Sequence, residues 1–465
     1  MKKRRLFHYA GAVVMAGSGW LSPSTAQAAD QATKPNIIFI LADDLGLGNV
    51  GVYGGPFKTP NIDRLARDGL RFTQCYSMPV CGPSRCLLLT GRYPFRTGLL
   101  DNSTWKSVAV CPVNPQRDVM IQTVMKQSGY VTACVGKWGQ ICLGPDEWGF
   151  DESLSYYGWG GGYWHKQVKQ YTVNGRKTEL PEDQYLPDIQ HRFIVDFLSK
   201  HKDQPFFLYY PMTHPHEPFV RTPDSKPDAD RNQLYADNIE YMDKLVGKLI
   251  AELDRLHLRE KTLVIFAGDN GTDAKLAAIS TVNGRRLNGA KLTMDEGGSR
   301  VPMIANRPGV VPAGKVLDDL VDFSDFFTTF AELGGAKLPE GVKLDGHSFV
   351  PQLRGEIGSP REWVFVQMNK RGSATKAHWY VRDHGFKLNE QGELFDMADA
   401  PFAEKPVTNE PERIKLQAIL DKLNPGPAST KERPTDLTSD PAPGGRKTAV
   451  PKAKAKAGKD GYDDG

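Results

Sequence analysis

The sequence predicts an α/β fold: a large, mostly parallel sheet flanked by helices, with a smaller C-terminal antiparallel sheet. Three observations predict it. Apolar runs followed by helical patterns recur through most of the chain, as they do when helices cover a parallel sheet. The apolar runs do not alternate with polar residues, which is typical of strands buried on both faces. After about residue 346 the chain changes to short β-rich runs separated by polar and glycine-containing turns.

The first strand is predicted at 36–42, a continuous apolar run. A short helix follows at 61–66, with Asn61 suited to its N-cap. Two more buried strands are predicted at 205–210 and 262–267. Between them, 235–256 is predicted as a long amphipathic helix because its apolar residues recur at helical spacing.

The C-terminal part is predicted as a separate subdomain over 346–424, following a catalytic domain over 29–345. Its short strands are predicted at 363–368, 377–382 and 394–397. From residue 425 to 465 apolar side chains nearly vanish. Such a segment cannot offset the entropy of ordering it, so a disordered tail is expected there.

Residues 1–28 are predicted to be a secretory signal peptide. Four basic residues precede the apolar stretch 10–20, which ends near the small-residue site Ala26-Gln27-Ala28. The stretch is too short for a stable membrane span. Arg4-Arg5-Leu6-Phe7 resembles the core of a twin-arginine export signal. We expect a periplasmic or secreted protein without a membrane span in its mature form; an uncleaved N-terminal anchor is the alternative.

The net charge of +4 does not indicate a nucleic-acid partner, because the predicted signal alone carries four basic residues. The predicted folded part, 29–424, has 47 basic and 49 acidic residues. Any preference for an anionic ligand must therefore come from a few residues directed into one pocket.

All six cysteines lie between residues 75 and 142, in a chain expected in an oxidising compartment. Cys134 and Cys142 could close a short loop, but spacing does not determine connectivity. The six cysteines are Cys75, Cys81, Cys86, Cys111, Cys134 and Cys142. Their spacing does not match a structural zinc site.

Polar residues follow each of the three predicted buried strands. The first strand leads into Asp43-Asp44, the second into His214-Pro215-His216, and the third into Asp269-Asn270. The carboxyl ends of parallel strands lie side by side, so we expect these residues to meet. Adjacent carboxylates repel each other unless a cation lies between them. Oxygen ligands favour Ca²⁺, with Mg²⁺ as the second choice, over zinc.

A cysteine motif is predicted at the start of another helix. Cys81-Gly82-Pro83-Ser84-Arg85 precedes an apolar helical turn, and Pro83 is suited to the first turn of a helix. The free amides and the dipole of a helix N-terminus favour an anionic ligand.

The motif and its continuation to Gly91 resemble the signature of the type I, formylglycine-dependent sulfatases of the alkaline phosphatase superfamily, which include the arylsulfatases. The resemblance extends from about residue 34 to 411. The other matching segments are Ile40 to Gly46, Gly136-Lys137-Trp138, Gly149-Phe150-Asp151, Ala267 to Gly271, Lys291 with Glu296 to Pro302, Asp345-Gly346, and Gly392 to Asp396.

The resemblance implies hydrolysis of a carbohydrate or aryl sulfate ester to an alcohol and inorganic sulfate. Cys81 would be oxidised to formylglycine by a formylglycine-generating or sulfatase-maturating enzyme, and Arg85 would orient it. Lys137 and Lys291 would contact the sulfate, and His216 would donate the proton, with His214 as its rival. The implied metal ligands are Asp43, Asp44, Asp269, Asn270 and the modified Cys81.

The chain departs from the family pattern at Gly139, where a histidine normally helps to position the nucleophile. Gln140 and His165 are both candidates to replace it. Two alternatives to a sulfatase stay open: a phosphodiesterase or phosphonate monoester hydrolase on the same fold, and a non-catalytic binder of sulfated ligands.

Overall fold

The computed structural model describes residues 34–102, 111–139, 141–156, 161–369 and 377–426. The predicted signal peptide, the tail beyond residue 426, and Gln140 lie outside these residues.

Within the described residues, seventeen strands form three sheets. The strands are β1 Asn36–Ala42, β2 Leu70–Tyr76, β3 Val131–Lys137, β4 Glu152–Tyr156, β5 Gln170–Val173, β6 Arg176–Glu179, β7 Phe206–Pro211, β8 Thr262–Gly268, β9 Thr281–Val282, β10 Arg285–Arg286, β11 Arg300–Asn306, β12 Lys315–Asp322, β13 Val364–Asn369, β14 Ala377–Arg382, β15 Phe386–Asn389, β16 Leu394–Asp396 and β17 Lys405–Pro406.

Helices connect the strands and cover the faces of the large sheet. The helices in the described part of the chain are α1 Pro60–Arg67, α2 Cys81–Thr90, α3 Pro94–Thr97, α4 Ile121–Gln127, α5 Leu186–His201, α6 Arg231–Arg255, α7 Glu296–Ser299, α8 Asp325–Gly334, α9 Val350–Leu353 and α10 Glu410–Leu423. Three short 3-10 turns lie at Leu47–Asn49, Gly51–Tyr53 and Arg259–Lys261. Among the described residues no helix has the length and apolar character needed to cross a membrane.

The large sheet has ten strands in the order β12-β2-β11-β8-β1-β7-β3-β4-β5-β6. Its centre is parallel, because β1 pairs in parallel with both β7 and β8, and β7 pairs in parallel with β3. Strand β11 runs antiparallel to its neighbours, as do β5 and β6 at one edge. The predicted α/β class with a mostly parallel sheet is confirmed.

Strand β1 has no polar face because both of its faces are buried. Ile37, Phe39 and Leu41 belong to one apolar core, which includes residues of α2, α4 and α8. Ile38 and Ile40 belong to a second core on the opposite face, which includes residues of α1, α5 and α6. Burial on both faces explains the uninterrupted apolar sequence.

The C-terminal sheet is antiparallel throughout, in the order β13-β14-β15-β16-β17. Its apolar face shares the first of the two cores with the large sheet, through residues such as Phe365, Tyr380 and Leu388. The smaller antiparallel sheet is therefore confirmed. The boundary between the two units at residue 346 stays a prediction.

The N-cap prediction for the first helix is wrong. Helix α1 begins at Pro60 with Thr59 as its N-cap, so Asn61 lies within the first turn. The Asn61 side chain donates to Asp243 of α6 at 2.7 Å. Proline favours the first helical position, which places the N-cap at Thr59, two residues before the predicted one.

The suggested Cys134–Cys142 pairing is also wrong. Cys142 is bonded to Cys111 across 31 residues of chain, and Cys134 is a free, buried cysteine within β3. The side chain of Cys134 belongs to the core on one face of the sheet, so it is not available to the loop that carries Cys142.

Candidate active site

The site lies at the carboxyl ends of the three central parallel strands β8, β1 and β7. The backbone N–H of Asp43 donates to the carbonyl of His214 at 2.9 Å, and that of Asp269 donates to Ala42 at 2.9 Å. The N–H of Asp44 donates to Asp269 Oδ1 at 2.9 Å. Residues separated by more than 170 positions in sequence are thus joined by hydrogen bonds, as the strand order predicts.

Asp44 adopts an unusual backbone conformation at this junction. Its φ of 61° lies in the left-handed region, which a residue with a side chain rarely occupies. Such strain persists only where surrounding bonds hold it, and it is concentrated at functional sites. Here the bond to Asp269 holds Asp44, and both carboxylates are fully buried.

Cys81 is the first residue of α2, and its side chain is completely buried. The first turn is fixed by the Ser84 hydroxyl, which donates to the carbonyls of Met78 and Val80 at 2.9 Å and 3.0 Å. The N–H of Met78 in turn donates to Ser84 Oγ at 3.0 Å. These bonds place Cys81 at the positive end of the helix dipole, as the motif predicts.

Arg85 lies one helical turn after Cys81, and its guanidinium bridges the ends of three strands. It donates to Asp269 Oδ2 at 2.7 and 3.1 Å and to the carbonyl of Lys137 at 3.0 Å. It also lies 3.2 Å from Asp43 Oδ1. Arg85 therefore orients the carboxylates and the end of β3. Its expected role in orienting the modified Cys81 stays a prediction.

Two lysines contribute positive charge from opposite sides. Lys137, the last residue of β3, is fully buried and donates to Asp43 Oδ2 at 2.5 Å. Lys291 donates to Asp44 Oδ2 at 2.7 Å. Burial alone would lower the pKa of each lysine, but the paired carboxylate outweighs it and raises the pKa, so both stay charged.

The surroundings of Cys81 favour a negative charge at its side chain. Burial acts to raise the pKa of the thiol, but Lys137 and Lys291 outweigh burial and lower it to about 6. An anionic nucleophile or a sulfate group at the same place would meet the same two lysines.

His216 lies within this cluster. Its Nε2 is 3.3 Å from Lys291 Nζ and 3.5 Å from Asp44 Oδ2, and a ring nitrogen lies within 4.8 Å of Cys81 Sγ. Its Nδ1 is 2.6 Å from the carbonyl of Glu217, which fixes the ring. Burial acts to lower the pKa of His216, but Asp44 raises it to about 9.

His214 is directed to a different neighbourhood. Its Nε2 lies 2.8 Å from the Tyr185 hydroxyl, and its ring contacts the rings of Tyr163, Tyr185 and Tyr241. Burial lowers the pKa of His214 to about 3, which keeps the ring neutral. Of the two histidines, His216 is the one that lies against Cys81.

The acidic residues form a crowded oxygen-rich cluster that fits a hard cation. Burial and the neighbouring Asp43 raise the pKa of Asp269 well above its usual range. Asn270 Oδ1 is buried without a hydrogen-bond partner, and Asp43 Oδ1 is buried with an ion pair to Arg85 but no hydrogen bond. Asp43, Asp44, Cys81 and His216 each offer a ligand atom within 4.8 Å of the others. A divalent cation would supply the missing partners and relieve the repulsion between the carboxylates.

Asn102 is a site residue that the sequence analysis did not identify. Its Nδ2 lies 3.4 Å from Cys81 Sγ, and its Oδ1 accepts the N–H of Gly82 at 2.8 Å. His165 is half-buried, and the side chains that lie beside Cys81 Sγ in the described part of the chain include Asn102 and His216. Nothing in the local sequence marks Asn102, because its position depends on the fold.

Two family descriptions match the chain. Residues 35–336 match the family described as sulfatase, and residues 290–424 match the C-terminal region described as N-sulphoglucosamine sulphohydrolase. Together they span the large sheet and the C-terminal sheet.

Curated relatives are similar over most of their length. The N-acetylgalactosamine-6-sulfatase of Canis lupus familiaris is 31% identical, covering 82% of this chain and 79% of that protein. Human arylsulfatase A is 34% identical, covering 72% of this chain and 70% of that protein.

Solved structures share the fold. The crystal structure of Ps i-CgsB is 29% identical with a TM-score of 0.75, covering 87% of this chain and 94% of that one. The same protein in complex with k-i-k-neocarrahexaose is 28% identical with a TM-score of 0.73 and the same coverage.

Proposed function

The chain belongs to the sulfatase family and is a sulfate ester hydrolase, and from this premise we propose that it desulfates a carbohydrate through a formylglycine made from Cys81. One observation carries the proposal. Buried Cys81 lies at the start of α2, among Lys137, Lys291 and His216. These are the groups that a nucleophilic attack on a sulfate ester requires.

In the proposed reaction the structure's Cys81 Sγ stands for an oxygen of the formylglycine hydrate. One hydroxyl of the hydrate, after losing its proton to water, attacks sulfur, and the bond between sulfur and the ester oxygen breaks. The alcohol leaves with a proton that His216 donates. The second hydroxyl then gives its proton to His216, which the first step left neutral, the bond from carbon to the sulfate oxygen breaks, and the aldehyde re-forms as sulfate is released. Addition of water to the aldehyde restores the hydrate. A plain thiol lacks the second hydroxyl that this elimination needs.

The two lysines would bind the sulfate oxygens and stabilise the charge that grows on them. Both carry a positive charge in an environment with little water, where such interactions are stronger than at a surface. His216 is the proposed proton donor because it contacts the Cys81 side chain, whereas His214 is bonded to Tyr185.

We propose Ca²⁺ as the resident cation. Asp43, Asp44, Asp269 and Asn270 would hold it, with the modified Cys81 as a further ligand. The oxygen-only protein ligands support a hard cation, as does the buried Asn270 Oδ1, which has no hydrogen-bond partner; Mg²⁺ is the second choice. The cation would polarise the sulfate group and lower the pKa of the hydrate hydroxyl.

A sulfated glycan is the proposed substrate class. The structural relative Ps i-CgsB was crystallised with an oligosaccharide, k-i-k-neocarrahexaose, at 28% identity to this chain. Several curated relatives are named N-acetylgalactosamine-6-sulfatase, and this name also denotes a sulfatase that acts on a sugar. An aryl sulfate would serve as a convenient reporter, since arylsulfatases are among the relatives.

We also propose that the protein is exported and matured by a formylglycine-generating or sulfatase-maturating enzyme. The Cys111–Cys142 disulfide supports an oxidising compartment, because disulfides persist there and are rare in the cytosol. The predicted signal at residues 1–28 agrees with this location.

The central experiment combines peptide mass analysis across Cys81 with turnover of matched esters. We expect formylglycine at position 81, hydrolysis of sulfated oligosaccharides, and much weaker hydrolysis of the matched phosphate esters. Cys81→Ala should abolish turnover, as should chelation of the cation by EGTA, with recovery on adding Ca²⁺. Cys134→Ala is the matched control, because Cys134 is also buried but lies within β3.

Two results would contradict the proposal. Unmodified cysteine at position 81 in a protein that turns over sulfate esters would exclude the formylglycine mechanism. A preference for phosphodiesters over the matched sulfates would show that the site serves phosphoryl transfer.

A further inference from the structure

Asn102 lies beside the proposed nucleophile, with its side-chain Nδ2 3.4 Å from Cys81 Sγ. We propose that Asn102 is a positioning residue for this nucleophile. The inference rests on the proposed function, because it assigns a role toward the formylglycine derived from Cys81.

Asn102 joins the first two residues of α2 through both ends of its amide. Oδ1 accepts the N–H of Gly82 at 2.8 Å, and Nδ2 donates toward Cys81 Sγ at 3.4 Å. The bond to Gly82 satisfies an N–H that has no partner within the helix. It also fixes which end of the amide faces Cys81, because only the NH₂ end can donate.

The chain segment before Asn102, from Gly98 to Leu100, is itself held in place by the fold. Gly98 ends α3 in the left-handed conformation, with φ of 79°, and the chain then turns through fully buried Leu99. The carbonyl of Leu100 accepts the N–H of Asn369 at 3.0 Å. Since Asn369 is the last residue of β13, the C-terminal sheet fixes the segment that carries Asn102.

The groups around Cys81 then have separate tasks. Lys137 and Lys291 supply positive charge, and His216 contacts Cys81 from the strand ends. Asn102 approaches from a different segment of chain and brings a neutral donor. In the formylglycine hydrate this donor would bind a hydroxyl oxygen and limit rotation about the bond to Cβ. An amide has no basic nitrogen, so Asn102 would hold the hydrate without taking up its proton.

If Asn102 had only a structural role, that role would be to cap the N–H of Gly82. One substitution separates this role from the positioning of residue 81. Asn102→Asp keeps an oxygen for the Gly82 N–H but replaces the NH₂ donor with an acceptor. Asn102→Ala removes both contacts. Asn114 is the matched control, because it is also half-buried and accepts a backbone N–H, from Gln116 at 3.1 Å, without touching Cys81.

The test measures kcat, KM, formylglycine content and thermal midpoint for N102A, N102D, N114A and N114D. We expect both Asn102 variants to lose about 10-fold or more in kcat, the scale of losing a donor to a reacting group. The formylglycine content of all four variants should equal that of the wild type. The thermal midpoint of N102D should stay close to that of the wild type, and the Asn114 variants should keep the wild-type kcat.

Wild-type kcat in N102D would overturn the inference, because the donor would then be dispensable. A loss of activity in N102D that is accompanied by a lowered formylglycine content or a lowered thermal midpoint would overturn it as well. Both results leave sulfate ester hydrolysis by the wild-type protein intact. Failure of the wild type to hydrolyse sulfate esters would instead contradict the proposed function.

Discussion

Two histidines separated by one proline occupy different environments, and the difference decides their chemistry. His216 contacts Cys81, Asp44 and Lys291, whereas His214 contacts three tyrosines and forms its hydrogen bond with Tyr185. A buried neutral ring bonded to a tyrosine stabilises the fold, but it does not deliver a proton to a leaving group.

His216→Ala should therefore lower kcat by roughly 10²- to 10⁴-fold, the contribution typical of general acid catalysis. His214→Ala, its matched control, should keep kcat within about tenfold and lower the free energy of unfolding by about 1–3 kcal/mol, since it leaves the buried Tyr185 hydroxyl without its partner. Steady-state kinetics and urea denaturation would measure the two effects. The opposite pattern, with the large kinetic loss in His214→Ala, would exchange the two roles.

The residues of the cluster differ in how far sequence could predict them. Asp43, Asp269 and His216 follow apolar strands that neighbour each other, so the rule for parallel sheets brings them together. Asn102 cannot be found in this way, because its contact with Cys81 depends on how β13 docks against residue 100. The partner of Cys142 likewise depends on tertiary structure, since several pairings satisfy the spacing.

At the scale of elements, β3 must pass very close to β7 before it presents Lys137. Gly136 has φ of 133°, and a Cβ added there would lie 2.0 Å from the carbonyl oxygen of Pro211. The preceding turn contains another glycine with positive φ, Gly129 at 85°, where an added Cβ would meet nothing within 4 Å. The two glycines separate the effect of backbone strain from that of close packing.

Gly136→Ala should lower the free energy of unfolding by more than about 2 kcal/mol, because strain and a backbone clash add. It should also reduce activity, because Lys137 is the next residue and the clash displaces it. Gly129→Ala carries the strain alone, about 1 kcal/mol, and should keep its activity. Equal effects of the two substitutions on stability and activity would show that close packing at Gly136 has no importance.

A buried ionic cluster joins α7 to the C-terminal sheet. Glu296 Oε1 lies 2.8 Å from the Arg382 guanidinium, and Glu296 Oε2 accepts the Tyr76 hydroxyl at 2.9 Å and Arg300 at 3.2 Å. Burial acts to raise the pKa of Glu296, but Arg382 and Arg300 outweigh it and lower the pKa to about 2.

Glu296→Gln should destabilise the protein by about 3 kcal/mol at pH 7, because it leaves Arg382 buried without its counter-ion. The pKa of Glu296 is near 4.5 in the unfolded chain and lower in the folded protein, so its ionised carboxylate stabilises the fold at pH values above 4.5. This contribution is lost as the pH falls toward 2. The difference in free energy of unfolding between wild type and variant should therefore narrow between pH 5 and pH 3. Urea denaturation at several pH values would measure it; a constant difference would contradict the assigned pKa shift.

At the scale of the whole molecule, the two sheets share one apolar core and several buried polar bonds. Arg361, which precedes β13, donates to Asp325 of α8 at 3.1 Å and to the carbonyl of Asp345 at 2.9 Å. Ser299 of α7 and Tyr380 of β14 share a hydrogen bond of 2.5 Å between their hydroxyl groups. Because these groups would lose their partners if the sheets separated, separation would cost far more than exposing an ordinary domain interface.

The whole chain should therefore unfold in one cooperative transition, despite a length that usually permits separate domains. Leu388→Ala in the C-terminal sheet and Ile194→Ala in α5 each open a cavity at a fully buried position, in two different apolar cores, at a cost of about 2–5 kcal/mol. Both should lower the midpoint of the same calorimetric transition, and loss of activity should follow it. A calorimetric trace that splits in Leu388→Ala, with activity persisting above the first transition, would show that the C-terminal sheet unfolds independently. In that case the positioning of Asn102 by Asn369 should fail in the same temperature range, and kcat should fall before the large sheet melts.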